Sequence, residues 1–260
     1  MGLMDFLGYG PMSEKRINKS AKLATNKFAQ PDVRVRELER LMEDGSPEAI
    51  LGALKRFSVN SNGAIADEEE KKWLEDEIVG KCGDSALASL EKYIGSEKQL
   101  TYALRAYRRL SGDTESVKLF TRVLKGHGPD AYRQGEAKLQ LVLQLSEHVE
   151  NSLVLSTLVP FLLDHSDDVR WAVMDTLETG IGKGAVSEEV KGLYLGQFKE
   201  LLFESGTGPR IVRRAAEFLS GHQWALGETV EEIPPLLDED YFLDKKGFIR
   251  KRAARASISG

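Results

Sequence analysis

Apolar residues recur along this chain at intervals of three and four, whereas period-two alternation never persists and β-branched residues do not cluster. The first spacing belongs to amphipathic helices and the second would belong to strands, so the chain reads as helical throughout. Ile17, Ala21, Ala24 and Phe28 fall at i, i+4, i+7 and i+11, one apolar stripe of a helix whose other faces hold Lys15, Lys19 and Lys22. Helix starts are marked as well. Ser46 before Pro47 supplies an N-cap followed by a proline at the first helical position. Asp67 with Glu70, and Ser96 with Gln99, have the spacing of capping boxes, while Gly128–Pro129 and Ser166 open two more helices.

These marks divide the chain into helix pairs at 33–43/47–58, 84–95/97–110, 115–125/130–147, 152–164/167–179, 188–204/209–220 and 229–239/246–257. A helix at 67–81 and an N-terminal helix at 13–28 stand outside the pairing. Short turns between partners force them antiparallel. The pairs repeat at a period in the range of helical-hairpin solenoids, in which one hairpin cannot bury both apolar faces without a neighbour. The lysine-rich helix 13–28 and the basic helix 246–257 then read as the caps of one continuous domain spanning 1–260.

Successive units can be aligned by residue. "VRWAV" at 169–173 matches "VRRAA" at 212–216, and "IRKRA" at 249–253 follows more loosely, each near the start of the second helix of its pair. In "LVPFLLDHSDDVRWAVMDTLE" (158–178), Pro160 lies in the first helix, and Asp164 in the turn precedes Arg170 by six residues. Asp244 and Arg250 repeat that separation, whereas Thr207 stands six before Arg213. These features resemble the HEAT-repeat family over about half the chain; the first three pairs match it only in hydrophobic pattern. The resemblance implies an all-α, right-handed superhelical solenoid of about six HEAT-like hairpins, whose second helices line a concave inner surface. It specifies architecture and leaves function open.

Trp171 stands out on this frame. At about 100° per residue, Val169, Val173 and Leu177 share one face of their helix, and Trp171 lies on the opposite one. Arg214 and Lys251 hold the same position in later units, so the resemblance implies a row of three side chains along the inner surface. Arg105, Arg108 and Arg109, at i, i+3 and i+4, form a stripe opposite Leu100, Ala103, Leu104 and Tyr107 and extend the candidate surface. Trp and Arg are the types most enriched at interface hot spots, so Trp171, Arg105, Arg108, Arg109, Arg214 and Lys251 are the candidate partner-binding residues. Arg170 and Arg250 are assigned to structure, pairing with the turn Asp or capping carbonyls.

Composition limits the function further. The formal net charge is −5, which disfavours a dedicated nucleic-acid binder. Seven acids and no base occupy 228–244, and six bases and no acid occupy 245–260; facing each other as antiparallel partners, these would neutralise one another. Cys82 is the only cysteine, so no intrachain disulfide can form. The start "MGLMDFLGYG" has no signal-peptide pattern, and Phe6 stands where a myristoylation motif needs Ser or Thr. No apolar run is long enough to span a bilayer, and a cytoplasmic monomer is expected.

Chemistry has no obvious home. His127, His148, His165 and His222 are scattered without metal-site spacing. "GIGKGAV" (180–186) lacks the phosphate-loop pattern. "SGTGPR" (205–210) leads into a helix bearing Arg210, Arg213 and Arg214, whose N-terminus could take an anion, but its Gly and Pro fit an ordinary inter-helix turn, the reading adopted. No cofactor or metal is expected. The reading is a non-enzymatic scaffold or adaptor holding a protein partner, one with acidic groups to meet the arginines. Two alternatives are implied by HEAT-like proteins of other classes: nucleic-acid binding of the DNA glycosylase type, and bilin lyase activity.

Overall fold

The computed structural model describes residues 11–61, 63–203, 206–227, 230 and 232–253. Over these residues the protein is mostly helical, with one two-stranded sheet. None of the described helices is long and apolar enough to cross a membrane. The chain forms two compact units, one through Leu124 and one from Lys125.

The first unit contains α1 (Glu14–Ala24), α2 (Pro31–Asp44), α3 (Pro47–Leu54), α4 (Ala64–Glu77) and α5 (Leu87–Ser96), and α6 (Thr101–His127) begins within it. The expected pair 33–43/47–58 is α2 and α3, with residues 55–58 tightened into a 3-10 turn. Ser46 caps α3 as its position predicts, accepting from the Ala49 amide at 3.4 Å. The helix expected over 13–28 ends at Ala24, so Phe28 leaves the apolar stripe and is 76% exposed, while Ile17 and Ala24 pack inward. Gly112, at φ 78° and ψ 171°, interrupts α6 where the expected helices 97–110 and 115–125 were separate.

The capping box expected at Asp67 and Glu70 does not form. Helix α4 begins three residues earlier, at Ala64, and both carboxylates point inward. Arg56, wholly buried, reaches Asp67 at 2.6 Å and Glu70 at 2.5 Å. Arg34 of α2 meets Glu70 at 2.7 Å, and Lys71 meets Asp67 at 2.8 Å. Burial alone would raise Asp67, but bonds from Lys71, Ser61 and Arg56 outweigh it and hold the carboxyl far below the usual range. Glu70 is likewise lowered, its burial outweighed by Arg34 and Arg56. Three segments are thereby joined through charge.

The second unit continues with α7 (Gly135–Leu145), α8 (Ser152–Leu158), α9 (Asp167–Gly182), α10 (Glu188–Phe203) and α11 (Pro209–Gly221). Pro160 lies where α8 gives way to a 3-10 turn, Val159–Leu163. Helices α7, α9 and α11, the second members of three expected pairs, lie side by side in that order. The 159–163 turn and α10 form a row behind them. Val169, Val173 and Leu177 of α9 are buried as the periodicity predicts, and Phe198, Phe218 and Trp224 close the far end as an aromatic cluster.

The last expected pair is a correction. Residues 235–237 form only a 3-10 turn, and β1 (Tyr241–Leu243) pairs antiparallel with β2 (Ile249–Lys251) in place of the helices 229–239 and 246–257. Pro234–Pro235 breaks any helix through that stretch, and Gly247 turns the chain at φ +79°. The basic capping helix is therefore absent over its described part; residues 254–260 lie outside the described residues. Opposite charges still meet across the turn, with Arg250 bonding Asp244 at 3.0 Å. The hairpin is seated closely: a Cβ at Gly247 would come within 2.6 Å of the Gly227 carbonyl oxygen.

Because Asp67 and Glu70 titrate lower in the folded chain than in the unfolded one, their contribution to stability is present above the unfolded carboxylate value of about 4 and is lost as pH falls below it. Asp67→Asn should therefore lower the urea midpoint at neutral pH and shrink the loss of stability between about pH 5 and 2, measured by denaturation across that range.

Candidate binding site around Trp171

A buried ion pair positions the helix that carries Trp171. Lys138 of α7 and Asp164, in the turn before α9, are both fully buried, with Nζ and Oδ2 2.6 Å apart. Lys138 also donates to the carbonyls of Pro129 at 3.0 Å and Gly128 at 3.3 Å. The other carboxylate oxygen of Asp164 accepts from the Ser166 amide at 2.9 Å, and its main-chain carbonyl accepts from Arg170. Arg170 thus caps a carbonyl, as its spacing predicts, while Lys138 is the cation that neutralises the turn Asp. Together these bonds fix the start of α9 against α7.

Trp171, two residues beyond Val169, points away from the core and is half-buried rather than open. What covers it comes from α11. The guanidinium carbons of Arg210 and Arg214 lie 4.6 Å and 5.3 Å from its ring centre, within cation–π range. The two arginines differ in how firmly they are held. Arg214 is only 10% exposed and bonds Asp175 at 2.9 Å and Glu178 at 2.7 Å. Burial would raise the Glu178 carboxyl, but Arg214 and, secondarily, His222 at 3.4 Å outweigh it and hold it below the usual range. Arg210 is exposed and has no carboxylate within ion-pair reach among the described residues; stacking on the indole is its principal contact.

Two clefts flank the ring. One, of about 330 Å³, lies toward α7 and includes Leu139 and Leu143, the latter 50% exposed. The other, of about 510 Å³, lies between α9, α11 and the hairpin. Its lining carries four cations, Arg210, Arg213, Arg214 and Lys251, against two carboxylates, Glu217 and Asp240. Arg213 is taken up by Asp240 at 2.6 Å, whereas Lys251, exposed on β2, has no such partner among the described residues. Tyr241 closes the floor; its burial, with Glu217 and Asp240 nearby, pushes its phenol upward, so it remains a neutral donor.

No protein-family model matches this chain, and no curated protein or solved structure matches it. The site is therefore read from its own geometry.

Of the residues singled out from sequence, Trp171, Arg214 and Lys251 share the larger cleft. Lys251 arrives there on a strand, not on the second helix of a repeat. Arg105, Arg108 and Arg109 lie in the first unit, opposite the buried Leu100, Ala103, Leu104 and Tyr107 as expected. There they serve the protein's own acids: Arg105 meets Glu75 at 2.5 Å, Arg109 meets Asp76 at 2.7 Å, and Arg108 meets Asp113 at 2.6 Å. Leu139, Leu143 and Tyr241 were not identified from sequence, and Arg210 was weighed only as part of an anion site that gave way to an ordinary turn. Arg210 had a usable signal, since it precedes Arg214 by one helical turn and shares its face.

Two outcomes follow from these contacts. Arg214→Ala should raise the Glu178 carboxyl toward or above its ordinary range, observable by side-chain carboxyl NMR titration, with His222 partly compensating. Lys138→Met should leave the Asp164 carboxylate buried without a cation and cost about 3–5 kcal/mol in urea unfolding.

Proposed function

We propose that this protein is a non-enzymatic scaffold, a right-handed array of HEAT-like hairpins, that holds a protein partner on the face where Trp171, Arg214 and Lys251 meet. The observation that carries this reading is a half-buried indole lying between two open clefts, one offering Leu139 and Leu143 beside two aspartates and the other rich in cations. An aromatic surrounded by apolar and arginine side chains, with a polar rim, has the composition of an interface hot spot. The side-by-side order of α7, α9 and α11 in the second unit supports the stacked-hairpin architecture.

Within this reading the anchors are unequal. Trp171 and Lys251 face the clefts, whereas Arg214 holds the indole in place through its bonds to Asp175 and Glu178. The stripe Arg105, Arg108 and Arg109 belongs to the other unit and is taken up by Glu75, Asp76 and Asp113, in pairs whose exposed members are worth little individually. A phosphate backbone carries charge along its whole length and would have to cross Asp168 and Asp175 at the smaller cleft, which weighs against it as the ligand.

The test is capture of partners from native extract on the immobilised chain, read by mass spectrometry. The variant Trp171→Ala/Lys251→Ala should keep its circular dichroism and melting nearly unchanged and lose the proteins captured by the wild type. Equal capture by this variant overturns the reading.

A further inference from the structure

The two clefts beside Trp171 differ in chemistry, and this difference specifies an occupant. Resting on the proposed protein-binding role of this face, we infer that the site takes an extended acidic peptide segment in a defined orientation. One apolar side chain enters toward Leu139 and Leu143 against the indole, and adjacent carboxylates lie over Arg210 and Lys251.

Charge complementarity carries the inference. The chain as a whole is acidic, at −5, yet the larger cleft has an excess of two positive charges in its lining. Within that lining the cations are not equivalent. Arg213 is held by Asp240, and Arg214 by Asp175 and Glu178. Arg210 and Lys251 are the pair left without a carboxylate among the described residues, and both are exposed. An exposed cation resting on an aromatic face gains only about 0.5–1 kcal/mol, so Arg210 can leave the indole for a stronger ion pair at little cost. Its departure uncovers the ring face and, because Trp171 and Arg210 line both clefts, joins them into one trough.

The orientation follows from the same residues. Asp168 and Asp175 stand at the smaller cleft and repel a carboxylate there, while Leu139 and Leu143 beside the indole give an apolar side chain its contact. Acidic side chains are thus directed toward the hairpin and apolar ones toward α7. An extended chain advances about 3.3 Å per residue with alternate side chains on one face, so an apolar side chain and an acidic one two positions away, about 6.6 Å apart, can face the two clefts together.

A displayed library of random nine-residue peptides, selected on the full-length protein, tests this. The expected consensus is an apolar or aromatic residue with two or more Asp or Glu, one of them two positions from it. A synthetic consensus peptide should bind the double variant Arg210→Glu/Lys251→Glu about tenfold or more weakly, and it should weaken as salt rises. Circular dichroism melting of that variant, altered only at exposed positions, should match the wild type. Enrichment of neutral or basic peptides that still require Trp171 overturns the acidic specificity while leaving the protein-binding role standing. Enrichment independent of Trp171, or none, overturns both. Displacement of the consensus peptide by a single-stranded oligonucleotide at equal concentration also overturns the inference, because the site would then select phosphate and bases rather than an acidic peptide.

Discussion

The bond between Lys138 and Asp164 is the constraint on which the second unit depends. Two ions with no contact to water would each cost several kcal/mol if unpaired, so helix α7 and the turn before α9 cannot separate independently. The same Asp164 bonds the amide of Ser166 and, through its carbonyl, Arg170, so one residue sets both the spacing of two helices and the point at which α9 begins. Shifting that start by one residue would rotate Trp171 by about 100° and remove it from Leu143 and Arg210 alike. The face that carries Trp171 is thus positioned from beneath by charge, while apolar contacts fill the space between.

The first unit uses charge differently. Around Arg56, two cations and two carboxylates from α2, α4 and the 55–58 turn are joined by Lys71 into a network with almost no access to water. Such a network is orientation-specific in a way that leucine packing is not, since each guanidinium edge must meet a carboxylate in its plane. The two units therefore share a principle and differ in scale: a single pair at one helix junction, and a five-residue network at the other.

Much of the helical architecture was legible because its cause is local. The stripes Val169–Val173–Leu177 and Leu100–Ala103–Leu104–Tyr107 announce which side of each helix is buried, and Ser46–Pro47 marks where one helix starts. Asp67 and Glu70 were misread because a carboxylate near a helix start has the same spacing whether it caps the end or turns inward to an arginine as far as 36 residues away. The hairpin at 241–251 was misread for another reason. Its strands are three residues long, too short for alternation to register, and the segregated charges fit two antiparallel helices as well as two antiparallel strands. At the candidate site, Trp171 was visible as an aromatic on the wrong side of its helix. The contributions of Leu143 and Tyr241 were not, since they depend on which neighbouring elements lie beside α9.

The close seating of Gly247 against Gly227 has an effect beyond the turn it makes. The Leu226 amide donates to the Gly247 carbonyl at 2.7 Å, and any Cβ at position 247 would have to push the Gly227 backbone aside. The strand that carries Lys251 is thus fastened to the segment following Trp224 through a contact only glycine allows. A side chain introduced at 247 would shift the turn and, with it, the origin of the Lys251 side chain.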